Sequence, residues 1–251
     1  MGATKFSRWY QGYCRSREAS RLRQYQAAYG KLLHTAARCM LVAIAMLLSA
    51  CLLAMCAPSS VQAQAMNPNV PQQANRYRAD LVRAAHSQWG LDAPIAAMAA
   101  QVHQESGWNA AAISPVGARG LTQFMPATAT WWCGLQKLPA AQCQPSNPVW
   151  ALRSMAGYDK WLYDRTPQHY SHYDRLWVAL RSYNGGLGHW KREAAVASLT
   201  HRMFPTRQQA DAACGWAQRA KLHCTESLGY PQRILVTLQP RYASWGGVVQ
   251  P

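Results

Sequence analysis

From Arg76 onward the apolar residues recur at intervals of three and four, and no two segments alternate with period two around a hairpin turn. That period predicts helices and leaves no sheet to pack them on, so the expected architecture is an all-α domain. Arg76–Trp89 carries Leu81, Val82, Ala85 and Trp89 on one side and ends at Gly90. Asp92 is placed to cap a second helix, with Pro94 near its first turn and a run through Ala99 to Glu105 that Gly107 stops. Residues 108–119 are rich in turn formers and read as a loop. Gly120–Met125 follow, and Pro126 opens a helix leading to Trp132. Asn147 caps and Pro148 begins a long helix to about Asp164, and another runs Tyr173–Tyr183. Further helical stretches are expected around 188–199, 206–221 and 226–244, and residues 66–75 read as a flexible lead-in. No internal repeat is visible.

The first 65 residues stand apart. Residues 1–38 hold eight Lys/Arg against one acid, Glu18, and Met40 to Ala57 is an apolar run without a charge. Small residues follow at Val61-Gln62-Ala63 and Ala63-Gln64-Ala65, which completes the pattern of an export signal with cleavage near 63–65. A retained membrane anchor through residues 40–57 is the alternative, at the short end of what spans a bilayer. Leu48-Ser49-Ala50-Cys51 resembles a lipidation box, but the apolar run continues past Cys51. Export to the periplasm or cell envelope is the common expectation. The divisions are a basic segment 1–39, a signal or anchor 40–65, a linker 66–77, one domain 78–245 and a tail 246–251.

The formal charge of +16 shrinks once this leader is set aside, because eighteen basic and nine acidic residues remain on 66–251, a net +9. These charges are dispersed rather than clustered, which argues against a nucleic-acid partner and suits an anionic polymer. So few carboxylates exclude calcium cages and leave few candidates for acid–base chemistry. Four Cys follow the leader, and each close pair is ten residues apart. Local disulfides Cys133–Cys143 and Cys214–Cys224 are the natural reading in an oxidising compartment, out of three connectivities. A zinc site is the rival, but no short C-x-x-C spacing supports it. No metal or other cofactor is expected.

One carboxylate sits on an unexpected face. Ile95, Met98, Ala99 and Val102 form a stripe whose continuation lands on Glu105. A carboxyl on the core side is costly unless paired or protonated, and the same desolvation lifts its pKa toward the range of a general acid. The alternative is a frayed helix end with Glu105 in water. Period alone does not separate the two.

The neighbourhood adds more. Gln104-Glu105-Ser106-Gly107-Trp108-Asn109 precedes Ser114-Pro115-Val116-Gly117-Ala118-Arg119-Gly120-Leu121-Thr122-Gln123-Phe124-Met125-Pro126. Ser182-Tyr183-Asn184-Gly185-Gly186 and Glu226-Ser227-Leu228-Gly229-Tyr230 come later. In this order and spacing the set resembles the soluble lytic transglycosylase family (SLT type), which has a goose-type lysozyme-like fold. The resemblance covers roughly residues 78–242. Thr122 and Ser182 depart from the family's usual Met and Ala, Ser227 stands where Thr is common, and Pro231 stands where a β-branched residue is usual.

The resemblance implies an enzyme that cleaves the MurNAc-β-1,4-GlcNAc bond of peptidoglycan glycan strands. Its single carboxylate, Glu105, would act as acid and then as base while the sugar's own C6 hydroxyl closes a 1,6-anhydro ring. Ser106 would orient Glu105 or cap the turn, and Gln123 would hydrogen-bond a sugar. Tyr183 and Asn184 would position carboxyl and substrate, and Glu226 and Tyr230 would finish the groove wall. Asp80, Asp92 and Asp159, the nearest acids in sequence, read as helix charges or caps. The rivals are a goose-type muramidase that hydrolyses with water and a wall-binding assembly protein that keeps the fold as scaffold. Bacterial wall remodelling and phage lysis or entry are both compatible settings.

Overall fold

In a computed structural model, residues 70–201, 204–217 and 220–251 are described, together with Met40. The leader's basic segment, most of its apolar run and the expected cleavage region lie outside the described residues. Among those described, no helix is long and apolar enough to cross a membrane.

Residues 95–102 are all buried, so the helix they begin runs through the middle of the core. After a single helical turn at Gln72–Asn75, the helices are α1 (Arg78–Trp89), α2 (Ile95–Ser106), α3 (Pro126–Leu135), α4 (Pro148–Tyr163) and α5 (His172–Gly185). They continue as α6 (Leu187–His201), α7 (Arg207–Ala212) and α8 (Lys221–Gln232). A π-helical turn, Arg233–Leu238, and a 3-10 segment, Gln239–Trp245, close the chain. Among the described residues the β-type pairings are isolated bridges, Ile113 to Arg119 and Arg119 to Phe124, so the domain is all-helical. Helix α2 packs against both closing segments, α1 against α4, and α5 against α4, α6 and α8.

Several ends follow from local chemistry. The Asn147 side chain accepts from the Val149 and Trp150 amides, and Pro148 occupies the first turn, as expected for α4. Asp92 does not cap α2. It is exposed, Pro94 holds the cap position, and the Ala96 amide instead donates to the Gly246 carbonyl at 2.9 Å. Residues 246–251 therefore serve the core, and Val249 is buried in it while its backbone pairs with the Gln239 side chain. The lead-in is likewise docked from residue 70 rather than loose. Ala74 is buried, and Tyr77 stacks on Trp108 with ring centroids 6.3 Å apart.

The stretch expected as one helix over 206–221 breaks after Ala212, where Cys214 enters a disulfide and Gly215 takes a φ of 88°. The helix expected over 226–244 starts earlier and changes type. Pro231 has no amide to donate to the preceding turn, and two residues later the backbone widens into the π-helical turn.

Disulfides join Cys133 to Cys143 and Cys214 to Cys224. The second lies against a buried ionic cluster. Arg181 of α5 pairs with Glu193 of α6 and Asp211 of α7, and Arg207 joins Asp211 to Asp174. This cluster fastens α6 and α7 onto α5.

Loop 108–125 crosses that end in a shape that few residues adopt. Gly120 has a φ of 70°, and a Cβ there would lie 2.5 Å from the Pro145 carbonyl oxygen. Gly120→Ala should cost about 1–3 kcal/mol, because strained backbone and a backbone clash act together. Urea unfolding of the full chain measures it, and an unchanged midpoint would contradict this packing.

Candidate active site

The carboxyl of Glu105 lies in the last turn of α2, where Gly107 ends the helix in the left-handed region with a φ of 58°. The stripe Ile95, Met98, Ala99 and Val102 is buried, and its continuation does bring Glu105 to the protein side. Glu105 is partly buried as a residue, with its carboxyl deep among side chains. Burial pushes it up from the ordinary 4.5 to about 7, and a hydrogen bond from Tyr230 offsets part of that rise. Tyr230 comes from α8, 125 positions along the chain, and its hydroxyl donates to Glu105 Oε1.

The other residues singled out by the sequence are distributed around this pair. The Ser106 hydroxyl turns away from the carboxyl and donates to the Leu121 carbonyl at 2.8 Å, tying the helix end to the loop. The Gln123 amide donates to the Gly120 carbonyl at 2.9 Å and the Ala112 carbonyl at 3.2 Å, while its backbone takes a φ of 49°. Its nitrogen thus braces the loop. Tyr183 donates to the Thr122 carbonyl at 2.7 Å, and burial, followed by the charge of Glu105, pushes its hydroxyl well up. Asn184 is exposed beside it. Glu226 is exposed one turn before Tyr230, so it flanks the site rather than joining the buried pair. His103 points elsewhere, with Nδ1 2.8 Å from the Tyr242 hydroxyl.

Trp108 has a φ of 68° and is almost wholly buried. Its indole donates to the Tyr242 hydroxyl at 2.7 Å, which locks the first residue after the α2 stop. Two left-handed non-glycine residues, Trp108 and Gln123, thus bracket the loop facing the carboxyl. Such strain persists only where surrounding contacts over-determine it.

An aromatic surface leads away from the site. Tyr183 meets Tyr158 at 5.5 Å between centroids, and Tyr158 meets Trp131 and Trp161, each at 5.9 Å. Trp131 is 45% exposed and lines a cavity of about 390 Å³ with Thr128, Tyr158, Trp161 and Leu187. A larger cavity of about 470 Å³, lined by Arg119, Ala129, Leu138 and the Cys133–Cys143 bridge, holds no carboxylate. Among the described residues, a cluster with metal-ligand spacing brings Glu193 to Cys214 and Cys224, whose sulfurs are joined to each other.

One acid behaves unlike its sequence reading. Asp159 is expected as a helix charge or cap, but it is 1% exposed within α4, where it accepts from Gln101 of α2. Its signal was present, since Leu152, Met155, Ala156 and Asp159 follow the same stripe spacing that singles out Glu105.

Residues 80–200, which include Glu105, the loop and Tyr183, match the family model of the transglycosylase SLT domain. Over these residues the chain resembles transglycosylase SLT domains. Among its relatives is the membrane-bound lytic murein transglycosylase F of Mannheimia succiniciproducens, 34% identical over 129 residues, which are 50% of this chain and 22% of that one. The Alteromonas mediterranea protein of the same name is 38% identical over 92 residues, 37% of this chain and 18% of that one. The chain thus spans about a fifth of the length of these relatives. The solved lytic transglycosylase Slt of Pseudomonas aeruginosa shares the fold, with a TM-score of 0.51 and 22% identity over 69% of this chain and 25% of that one. Tyr230 lies beyond the segment that the SLT model covers, yet it touches the domain's buried acid.

The hydrogen bond from Tyr230 favours the charged form of Glu105. Tyr230→Phe should therefore raise the Glu105 pKa above about 7 and move the alkaline limb of any activity that needs its proton to higher pH. A pH profile on purified sacculi reads this. A shift to lower pH would contradict the assigned hydrogen bond.

Proposed function

We propose that this chain is an exported peptidoglycan lytic transglycosylase with Glu105 as its single acid and base. The observation that carries the reading is one carboxyl held near neutrality at the foot of an SLT domain, with a hydroxyl donor placed on it. The relatives named as lytic murein transglycosylases support the substrate class.

Glu105 enters protonated and donates to the leaving oxygen of the MurNAc-β-1,4-GlcNAc bond while charge develops on the sugar ring. The resulting carboxylate is stabilised by the Tyr230 hydroxyl. It then takes the proton from the sugar's own C6 hydroxyl as that oxygen attacks C1, giving a 1,6-anhydroMurNAc end and restoring protonated Glu105. A pKa near 7 suits both steps, because the group must give and retrieve one proton at constant pH. Ser106, Gln123 and Tyr183 hold the loop against the acid, Asn184 and Glu226 offer polar contacts to the glycan, and exposed Trp131 offers a stacking face. Export by the N-terminal segment, cleaved or retained, places this chemistry at the wall, in remodelling or in lysis.

Mass spectrometry of the muropeptides released from purified sacculi tests the reading, with the full chain compared to its Glu105→Gln variant. The expected products end in 1,6-anhydromuramic acid, and the variant should release them about 10²–10⁴-fold more slowly. Reducing ends would show that water is the acceptor, and equal release by the variant would remove Glu105 from the chemistry. The alkaline limb of kcat/KM should fall about tenfold per pH unit above pH ~7, because the ionised acid has no proton to give.

A further inference from the structure

Asp159 and Gln101 face each other in the core between α4 and α2, and each is left with one unpaired polar atom. Gln101 Nε2 donates to Asp159 Oδ1 at 3.3 Å. Gln101 Oε1 and Asp159 Oδ2 are both buried and lack a hydrogen-bond partner. The two orphans are complementary. An amide oxygen needs a donor, and a carboxyl that keeps its proton supplies one on the oxygen opposite the one that Gln101 already occupies. Leaving both unmade would cost the desolvation of two buried polar atoms.

We propose that Asp159 stands in the folded chain as a neutral carboxylic acid closed into a ring with Gln101. Its hydroxyl donates to Gln101 Oε1, and Gln101 Nε2 donates to its carbonyl. The ring braces α4 against α2 one helical turn before Glu105.

The surroundings favour the neutral form. Asp159 is 1% exposed and Gln101 is 0% exposed. The titratable groups that sense its charge are Tyr158 beside it on α4, Tyr183 of α5 and Tyr230 of α8, and Glu105 of α2 acts on it directly. All of these are neutral or anionic. Burial therefore pushes the Asp159 carboxyl well up, the charge on Glu105 adds to that, and the Gln101 hydrogen bond only partly offsets both. The consequence is a division of labour between two nearby carboxyls. Asp159 keeps its proton while Glu105 exchanges one, so the site never holds two negative charges.

That consequence rests on the lytic reading of Glu105, whereas the ring itself does not, so the test uses no substrate. Infrared difference spectra of the full chain against Asp159→Asn at pH 8 should show a protonated carboxyl C=O band that the variant lacks. No such band means that Asp159 is ionised and overturns the proposal. In Gln101→Met the band should move to higher frequency, because the carbonyl loses its donor. A band that stays in place overturns the ring.

Stability gives a second readout. A carboxyl whose folded pKa is raised favours folding fully only below its unfolded pKa, and that contribution is lost as pH rises toward the folded value. Asparagine does not titrate, and Glu105 is common to both chains. The Tm of Asp159→Asn minus that of the native chain should thus grow from pH 5 to pH 8, and a flat or shrinking gap contradicts a protonated Asp159. A chain that shows the band yet cleaves no wall loses the lytic reading and keeps the ring.

Discussion

Desolvating the Glu105 carboxyl is the cost around which the domain is arranged. Water would hold such a group ionised at neutral pH, while the end of α2 holds it at about 7. A rise of that size is a free-energy penalty on the order of 3 kcal/mol for the ionised form. Because the folded value is raised, the contribution runs in one direction. The contribution of Glu105 to stability is largest below its unfolded pKa near 4.5 and declines as pH climbs to about 7. The folded chain bears this penalty through other contacts: the burial of residues 95–102 of α2, the tail carbonyl on its first turn and the ionic cluster that secures α6 and α7.

The architecture makes sense as a way to hold one proton in one place. Gly107 stops α2 so that Glu105 ends the buried stripe instead of continuing it. The Ser106 hydroxyl and the Gln123 amide fix loop 108–125 in front of the carboxyl, and Tyr183 holds the same loop from α5. Helix α8 reaches back from the far end of the chain to place the Tyr230 hydroxyl on Glu105. Behind the acid, α4 and α2 meet through Asp159 and Gln101. The aromatic rings of Tyr158, Trp131 and Trp161 pack together beyond that core, with Trp131 partly exposed.

What was legible in the sequence was local. The Asn147-Pro148 start of α4, the two ten-residue disulfide loops and the stripe leading to Glu105 depend on neighbours within a few turns, and the structure shows each of them. What was not legible depended on distant partners. Tyr230 reads equally well as an ordinary core ring until α8 folds back onto α2. Asp92 looks like a cap, but the amides it would serve are met in part by the Gly246 carbonyl, more than 150 residues later. The Arg181–Glu193–Asp211 cluster joins three helices and leaves no periodic trace. Asp159 is different, because its stripe position was visible. It read as a helix charge or cap because an acid on a helix is usually one, and its burial against the Gln101 amide shows otherwise.

The measurement that bears most directly on this account is the titration of the Glu105 side chain in the full chain, followed by the carbon-13 resonance of its carboxyl and assigned with Glu105→Gln. The predicted midpoint is about 7, well above the ordinary 4.5. A midpoint at the ordinary value would show that the carboxyl is hydrated rather than held between α2 and α8, and it would remove the physical basis for a single group acting as both acid and base.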